Sequence, residues 1–282
     1  MVTGHSISPR PLYASALAPP GTPVSIAARH NFIAALLKIA PDTRALWLPI
    51  GTETTTSLDR SRNARTLTYS ATFASQYAVL GSGLTASFDG STDDGSYPDA
   101  ANLTFGNSVV DSPFSIFAWL NVTSSAAIKD ILTKLDLTTG STKREWTFFV
   151  SAADKLNLVL HDESVPATIG RLYNTAITTG ANIFVCGTYS GSGAASGIKL
   201  YVATSAVALA QLDDTGNSAG AYVAMEDLAA TVRLGDETGA AATGNFFSGT
   251  MGSVGLVANE LNLDELKALV VLGNGYYGLS LL

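Results

Sequence analysis

Residues 155–162 read Lys-Leu-Asn-Leu-Val-Leu-His-Asp, KLNLVLHD, and this octapeptide decides the fold. Leu156, Leu158 and Leu160 alternate with Asn157, Val159 and His161. A period of two puts the three leucines on one face of a β-strand. Working outward, the same grammar recurs in ALWLPI, LTASFDG, FSIFAWLNV, REWTFFVSA, NIFVCGTYSG, GIKLYVATSA, TVRLGD and GTMGSVGLVA. These runs are short, rich in β-branched and aromatic residues, and separated by Gly, Asn, Asp and Ser clusters. Many short strands with turn signals between them predict an all-β sandwich or barrel, not a parallel βαβ sheet.

Two stretches break the pattern. Residues 24–40, VSIAARHNFIAALLKIA, carry Ile26, Ile33, Leu36, Leu37 and Ala40 at helical spacing, with Ser25 as cap and Pro41 as stop. The apolar face of that helix must be buried against the body or against another chain. A short late helix is expected over 262–272, favoured by Asp264 and Glu265 at its start and ended by Gly273. The tail GNGYYGLSLL is then free to supply a closing strand. Ahead of everything, residues 1–23 are punctuated by Pro9, Pro11, Pro19, Pro20 and Pro23 and read as an extended arm. The expected division is therefore an arm at 1–23, an amphipathic helix and linker at 24–42, and one β-domain at 43–282.

The strand order resembles the laminin G-like, concanavalin A-like lectin/glucanase jelly rolls. SFDGSTDD followed by FSIFAWLNV is similar to the family's Phe-Asp-Gly, Asp, then an apolar strand ending in Ala-Trp. DILTKLD, EWTFFV and KLNLVL are similar to its Lys-bearing strand and following meander. NIFVCGTYSG and GIKLYVATSA are similar to its Trp-x-x-Val-x-x-Tyr-x-Gly hairpin, with Phe184 in place of Trp. VRLGD and FFSGTMGSVGLVANELNLDELKAL resemble its closing segment. The resemblance implies a two-sheet jelly-roll sandwich carrying the N-terminal arm and helix. It also makes calcium a possible cofactor, because LDRSRNARTL is similar to a family segment found near bound calcium. Asp59 and Asn63 are the candidate ligands there, with Arg62 and Ala64 departing from the pattern.

Composition narrows the partners. The 282 residues are 46% hydrophobic and 14% charged, enough to build a large core. A net charge of -7 excludes nucleic acid as the main partner, since phosphate binding needs clustered Lys and Arg. Arg60, Arg62 and Arg65, and the pair Lys143–Arg144, read as solvated loops. The two long uncharged stretches, 66–88 and 172–198, hold too much Thr, Ser, Gly and Asn to span a bilayer. The first twenty residues lack the apolar core of a signal peptide. Cys186 is the one cysteine and is expected to be buried and inert.

The acidic loop 87–99, SFDGSTDDGSYPD, fails as an EF-hand. From Asp89, Ser91 and Asp93 fall in register, but Asp94 replaces the turn Gly and Ala100 the closing Glu. Metal ligands therefore stay unassigned, and the loop reads as a strand-to-strand connection. No strand carries the Glu-x-Asp-x-Glu alternation that brings two carboxyls together for retaining glycoside hydrolysis. Glu53, Glu145, Glu163, Glu226, Glu237, Glu260 and Glu265 are scattered, and Asp213–Asp214 and Asp236–Glu237 are neighbours that point apart on a strand. His5, His30 and His161 make no metal-spaced pair, and His161 reads as a surface or loop residue. Trp47, Trp119 and Trp146 sit in apolar runs and are expected in the core. Tyr97, Tyr173, Tyr222, Tyr276 and Tyr277 are the better candidates to stack on a ligand.

No catalytic residue is assigned, and the chain is expected not to be an enzyme. The expected role is a virion structural protein of a tailed bacteriophage, a capsid decoration or tail/fibre-associated subunit. It would be made in the host cytoplasm and anchored to other virion proteins through residues 1–42, as a homo-oligomer or within a larger assembly. The alternative is a carbohydrate-binding adhesin that recognises a host-surface or matrix glycan.

Overall fold

The computed structural model describes residues 25–48, 55–70, 77–123, 126–137, 142–237 and 244–282. The chain begins with α1 (Ile26–Ile39), β1 (Thr43–Trp47), β2 (Thr56–Ser57), β3 (Leu67–Tyr69), β4 (Tyr77–Leu80), β5 (Gly83–Asp89) and β6 (Gly95–Tyr97). Next come β7 (Phe114–Val122), β8 (Lys129–Asp136), β9 (Lys143–Val150), β10 (Leu156–Asp162) and β11 (Ala167–Tyr173). They are followed by β12 (Asn182–Tyr189), β13 (Ile198–Ala203), β14 (Ala210–Gln211) and β15 (Asp214–Gly216). The last elements are β16 (Val232–Leu234), β17 (Ser248–Val257) and α2 (Leu263–Tyr277). The expected arm, residues 1–23, lies outside the described residues, as do His5 and Glu53.

The strands form two antiparallel sheets. One has eight strands in the order β14-β13-β12-β7-β17-β5-β4, with β1 also paired to β17. The other has nine, in the order β15-β11-β10-β9-β8-β16-β6-β3-β2. Neighbours distant in sequence, such as β7 beside β17 and β8 beside β16, mean that the chain crosses between sheets. The fold is the expected two-sheet jelly-roll sandwich with two helices.

Period-two patterning builds the core between the sheets. Ile116, Ala118, Leu120 and Val122 of β7 share one cluster with Trp146 and Phe148 of β9 and with Leu156, Leu158 and Leu160 of β10. The alternate residues of β7 and β12 form a second cluster on the far side of the eight-stranded sheet, where Phe117, Trp119, Phe184 and Cys186 meet both helices. A sheet buried on both faces loses its polar alternation, which is why FSIFAWLNV and NIFVCG read as continuous apolar runs. Cys186 is fully buried there, and burial pushes its thiol well above the ordinary range.

Helix α1 is capped by Ser25, whose Oγ accepts from the Ala28 N–H at 3.1 Å. Its apolar face packs on this same domain: Leu36 is buried, and the Phe32 ring stacks on Tyr276 with centroids 4.2 Å apart. Helix α2 begins with a capping box between Asn262 and Glu265. It does not stop at Gly273, and no strand follows it. The helix runs through Gly273 because a Cβ there would lie 2.1 Å from Trp119 Nε1, so this glycine permits close approach to the sheet. Gly278, at φ 64°, supplies the left-handed cap instead.

Candidate functional site

The acidic loop spends Asp89 and Asp93 on itself. Asp89 accepts from the N–H groups of Ser91 and Thr92 at 2.8 Å, and from both hydroxyls at 2.7 and 2.8 Å. These bonds outweigh partial burial and hold its carboxyl well below the ordinary value. Asp93 accepts from the Asp89 N–H at 2.9 Å, and Asp94 pairs with Arg233 at 3.3 Å. The calcium candidates behave alike. Asp59 accepts from Leu46, Ser61 and Arg65 N–H groups, while Asn63 donates to the Thr43 and Arg44 carbonyls. Both side chains fasten this loop to β1. Arg65 is buried there, not solvated, and donates to the Arg44 carbonyl.

The loop's last carboxylate, Asp99, converges with Glu145 and Asp227 closely enough to hold a cation. The cation beside them is the chain's own Lys134 ammonium. It bonds Glu145, Asp99 at 2.9 Å, Thr104 Oγ1 at 2.9 Å and the Leu228 carbonyl at 3.0 Å. Burial pushes the Glu145 carboxyl up to about 7, against the pull of Lys134.

The sites where tyrosines were expected to stack are also committed. The Tyr222 hydroxyl donates to Asp111 at 2.7 Å, Tyr276 lies against Phe32, and Tyr277 is buried. Tyr97 and Tyr173 lie in β6 and β11 and pack against the main core. All three tryptophans are fully buried, as expected.

A different group of residues opens onto a cleft of about 230 Å³ on the outer face of the nine-stranded sheet. Phe148, Trp146, Leu158 and Leu160 point to the core, so Phe149, Thr147, Val159 and His161 fall on the opposite face and form the cleft floor. Pairing registers set its two ends. Asp130 lies opposite Phe149, and its N–H donates to the Asn245 carbonyl at 2.9 Å. Leu135 lies opposite Arg144 at the other end. The separation is about 17 Å along β9 at ~3.4 Å per residue.

The Asp130 end is acidic. Asp130 is 1% exposed, and neither carboxylate oxygen has a hydrogen-bond partner among the described residues. Burial, then the nearby Glu237 and Asp236 carboxylates, push its carboxyl well above the ordinary range. Glu237 is raised by burial and by Asp236, and it accepts a hydrogen bond from Asn245. The other end is basic but satisfied: Arg144 bonds Glu163. His161 stands between, its Nε2 3.4 Å from Thr147 Oγ1. Burial, then Arg144, pushes it down to about 3, so the ring is neutral near neutral pH. His161 is therefore a cleft residue and not the surface or loop residue expected, and Arg144 is not a solvated loop residue.

Sequence reasoning missed this site. Asp130 was read only as the first residue of DILTKLD, the segment similar to the family's Lys-bearing strand, and Glu237 was set aside as the neighbour of Asp236. The one available signal was the set of polar positions out of phase with the core, Thr147, Asn157 and His161.

No protein-family model matches the chain, and no curated protein matches it. Solved structures do match. A Trypanosoma rangeli sialidase in complex with sialic acid aligns at TM-score 0.54 and 11% identity, over 88% of this chain and 38% of that one. The same sialidase with a difluorosialic acid, described as a covalent intermediate, aligns at TM-score 0.57 and 11% identity, with the same coverage. Domain 4 of a GH43 extracellular arabinanase from Geobacillus stearothermophilus, in complex with arabinotriose, aligns at TM-score 0.52 and 14% identity. That match covers 81% of this chain and 98% of the domain. The likeness is one of fold, and this chain spans 38% of the sialidase's length.

The expectation that the chain is not an enzyme is corrected by these matches, since the structures that share its fold include sialidases and a domain of an arabinanase. The expectation rested on the failure to find two alternating carboxyls along a single strand. The folded sheet instead gathers Asp130 from β8 and Glu237 from beyond β16, a juxtaposition that strand alternation cannot reveal.

Proposed function

We propose that this chain is a carbohydrate-binding, lectin-like domain whose ligand lies in the cleft over β8, β9 and β10. The observation that carries the reading is a half-buried aromatic ring, Phe149, with Val159 beside it, ringed by hydrogen-bonding groups of Asp130, Thr147, His161, Glu237 and Asn245. A sugar ring has an apolar face for such a platform and hydroxyls at its edge for the polar groups. The volume is small beside the roughly 300–1,000 Å³ of drug-sized pockets, which suits one sugar unit with the rest of a chain lying across the sheet. The arabinanase domain, matched over 98% of its length and crystallised with arabinotriose, supports the same reading. The laminin G-like motifs of the sequence agree with it. The virion role expected from the sequence gains no support from these structures.

The test is calorimetric titration of the full chain with the hits of a broad glycan array, repeated on Phe149→Ala. Loss of the platform should weaken binding at least ~10-fold, or about 1.4 kcal/mol. An array without hits, or a variant that binds like the wild type, would refute the assignment.

A further inference from the structure

Asp130 demands an explanation that the sandwich does not supply. A fully buried carboxyl with both oxygens unpartnered among the described residues gains no hydrogen bond from the fold and is expensive to ionise. Other buried acids among the described residues keep at least one bonded oxygen: Asp111 accepts from two tyrosine hydroxyls and the Met225 N–H, and one Glu145 oxygen meets Lys134 while its other has no partner. Asp130 differs because both its oxygens are unpartnered among the described residues and it lies in the wall of the cleft. We propose that the acidic end of this cleft selects a sugar unit bearing a free primary amino group, whose ammonium seats against Asp130 and Glu237; the inference rests on the carbohydrate-binding reading above.

The charges around Asp130 favour a cation from outside. Glu237 and Asp236 add negative potential. Of the nearby cations, Lys129 turns away to Asp154 at 2.9 Å and the Ala127 carbonyl at 3.0 Å. Arg144 is held by Glu163 at the far end, and His161 is neutral. Once ionised, the Asp130 carboxylate is an acceptor only, whereas an ammonium carries three donors and no acceptor and adds a neutralising charge that a hydroxyl lacks. The bond is charge-assisted and forms where water is largely excluded. The net charge of -7 further enriches cationic ligands near the surface.

With the cleft free of a cation, burial raises the Asp130 carboxyl and favours its protonated form. When an ammonium binds, the carboxylate form is required, and that proton passes to the buffer. Binding of an aminated sugar is thus coupled to proton release, and binding of its N-acetylated counterpart is not.

Calorimetry on the full chain tests this with glucosamine oligomers, the matching N-acetylglucosamine oligomers and spermidine. Titrations at mildly acidic pH, where the amine is charged, are run in two buffers of different ionisation enthalpy. The aminated oligomer should bind at least ~10-fold more tightly than the acetylated one, with an enthalpy that depends on the buffer as proton release requires. Asp130→Asn should bring the aminated oligomer down to the level of the acetylated one and remove the buffer dependence, with folding checked by circular dichroism. Glu237→Gln, whose side chain is less buried, should reduce the preference and serves if the first variant does not fold. Equal affinity for the two oligomers, a preference that survives Asp130→Asn, or spermidine binding as tightly as the sugar amine each overturns the proposal. If neither oligomer binds while other glycans bind in a Phe149-dependent way, this inference falls and the carbohydrate-binding reading stands.

Discussion

The two outer faces of the sandwich solve opposite problems. The eight-stranded sheet turns Phe117, Trp119 and Phe184 outward and covers them with α1 and α2, so its outer face is a second dry core. The nine-stranded sheet turns Thr147, Phe149, Val159 and His161 outward and leaves them in an open cleft. Both faces obey the same strand alternation; they differ in what the chain lays over them. A covered face stabilises, and an uncovered one with a stranded carboxylate is available for recognition.

The contrast can be broken experimentally, first on the dry side. Trp119 touches Phe117, Phe184, Tyr277 and Phe32 with centroids 5.0–6.0 Å apart. Trp119→Ala should cost about 3–5 kcal/mol in denaturant unfolding. A cost near zero would show that the helices do not seal this face. Gly273→Ala comes next. Although alanine gains about 1 kcal/mol in a helix, its Cβ collides with the indole, and a net loss of about 1–3 kcal/mol is expected by the same measurement. A stabilised variant would remove the close-approach argument.

On the open side the effects are smaller and depend on pH. The native Asp130 carboxyl keeps its proton above the range in which an unfolded aspartate, near ~4, has lost it. The unfolded state then binds fewer protons, so stability falls as pH rises from about 4 toward the raised native value, by up to about 1.4 kcal/mol per pH unit. Stability of Asp130→Asn should rise relative to the wild type over that window, and parallel curves would show that Asp130 is not buried as a neutral acid. His161 works in the other direction: its native value is lowered to about 3, so its contribution is intact above ~6.5 and is lost as pH falls below it. His161→Gln should flatten that acid limb. The smallest expected change is that of Phe149→Ala on stability, about 1 kcal/mol for a half-exposed ring, although it is the change expected to matter most for binding.

Much of this was legible in the residues. The leucines of KLNLVL, the cap at Ser25 and the burial of Trp47, Trp119 and Trp146 follow from local periodicity and capping chemistry. Gly273 shows the limit. As a residue it signals a helix end, yet its place against Trp119, far away in sequence, makes it part of the helix interior. The acidic loop shows the converse: its carboxylates advertise a metal site, and short-range hydrogen bonds consume Asp89 entirely.

By itself the sequence determined the strands, their inward faces and hence a two-sheet sandwich, because alternation and turn chemistry act over a few residues. Only the tertiary structure decided which outer face the helices would seal. It alone brought Asp130, Glu237 and Asn245 to one end of a cleft, because those meetings depend on pairings between segments about a hundred residues apart, such as β8 with β16. Local pattern names the face of a residue, and long-range pairing chooses its neighbours.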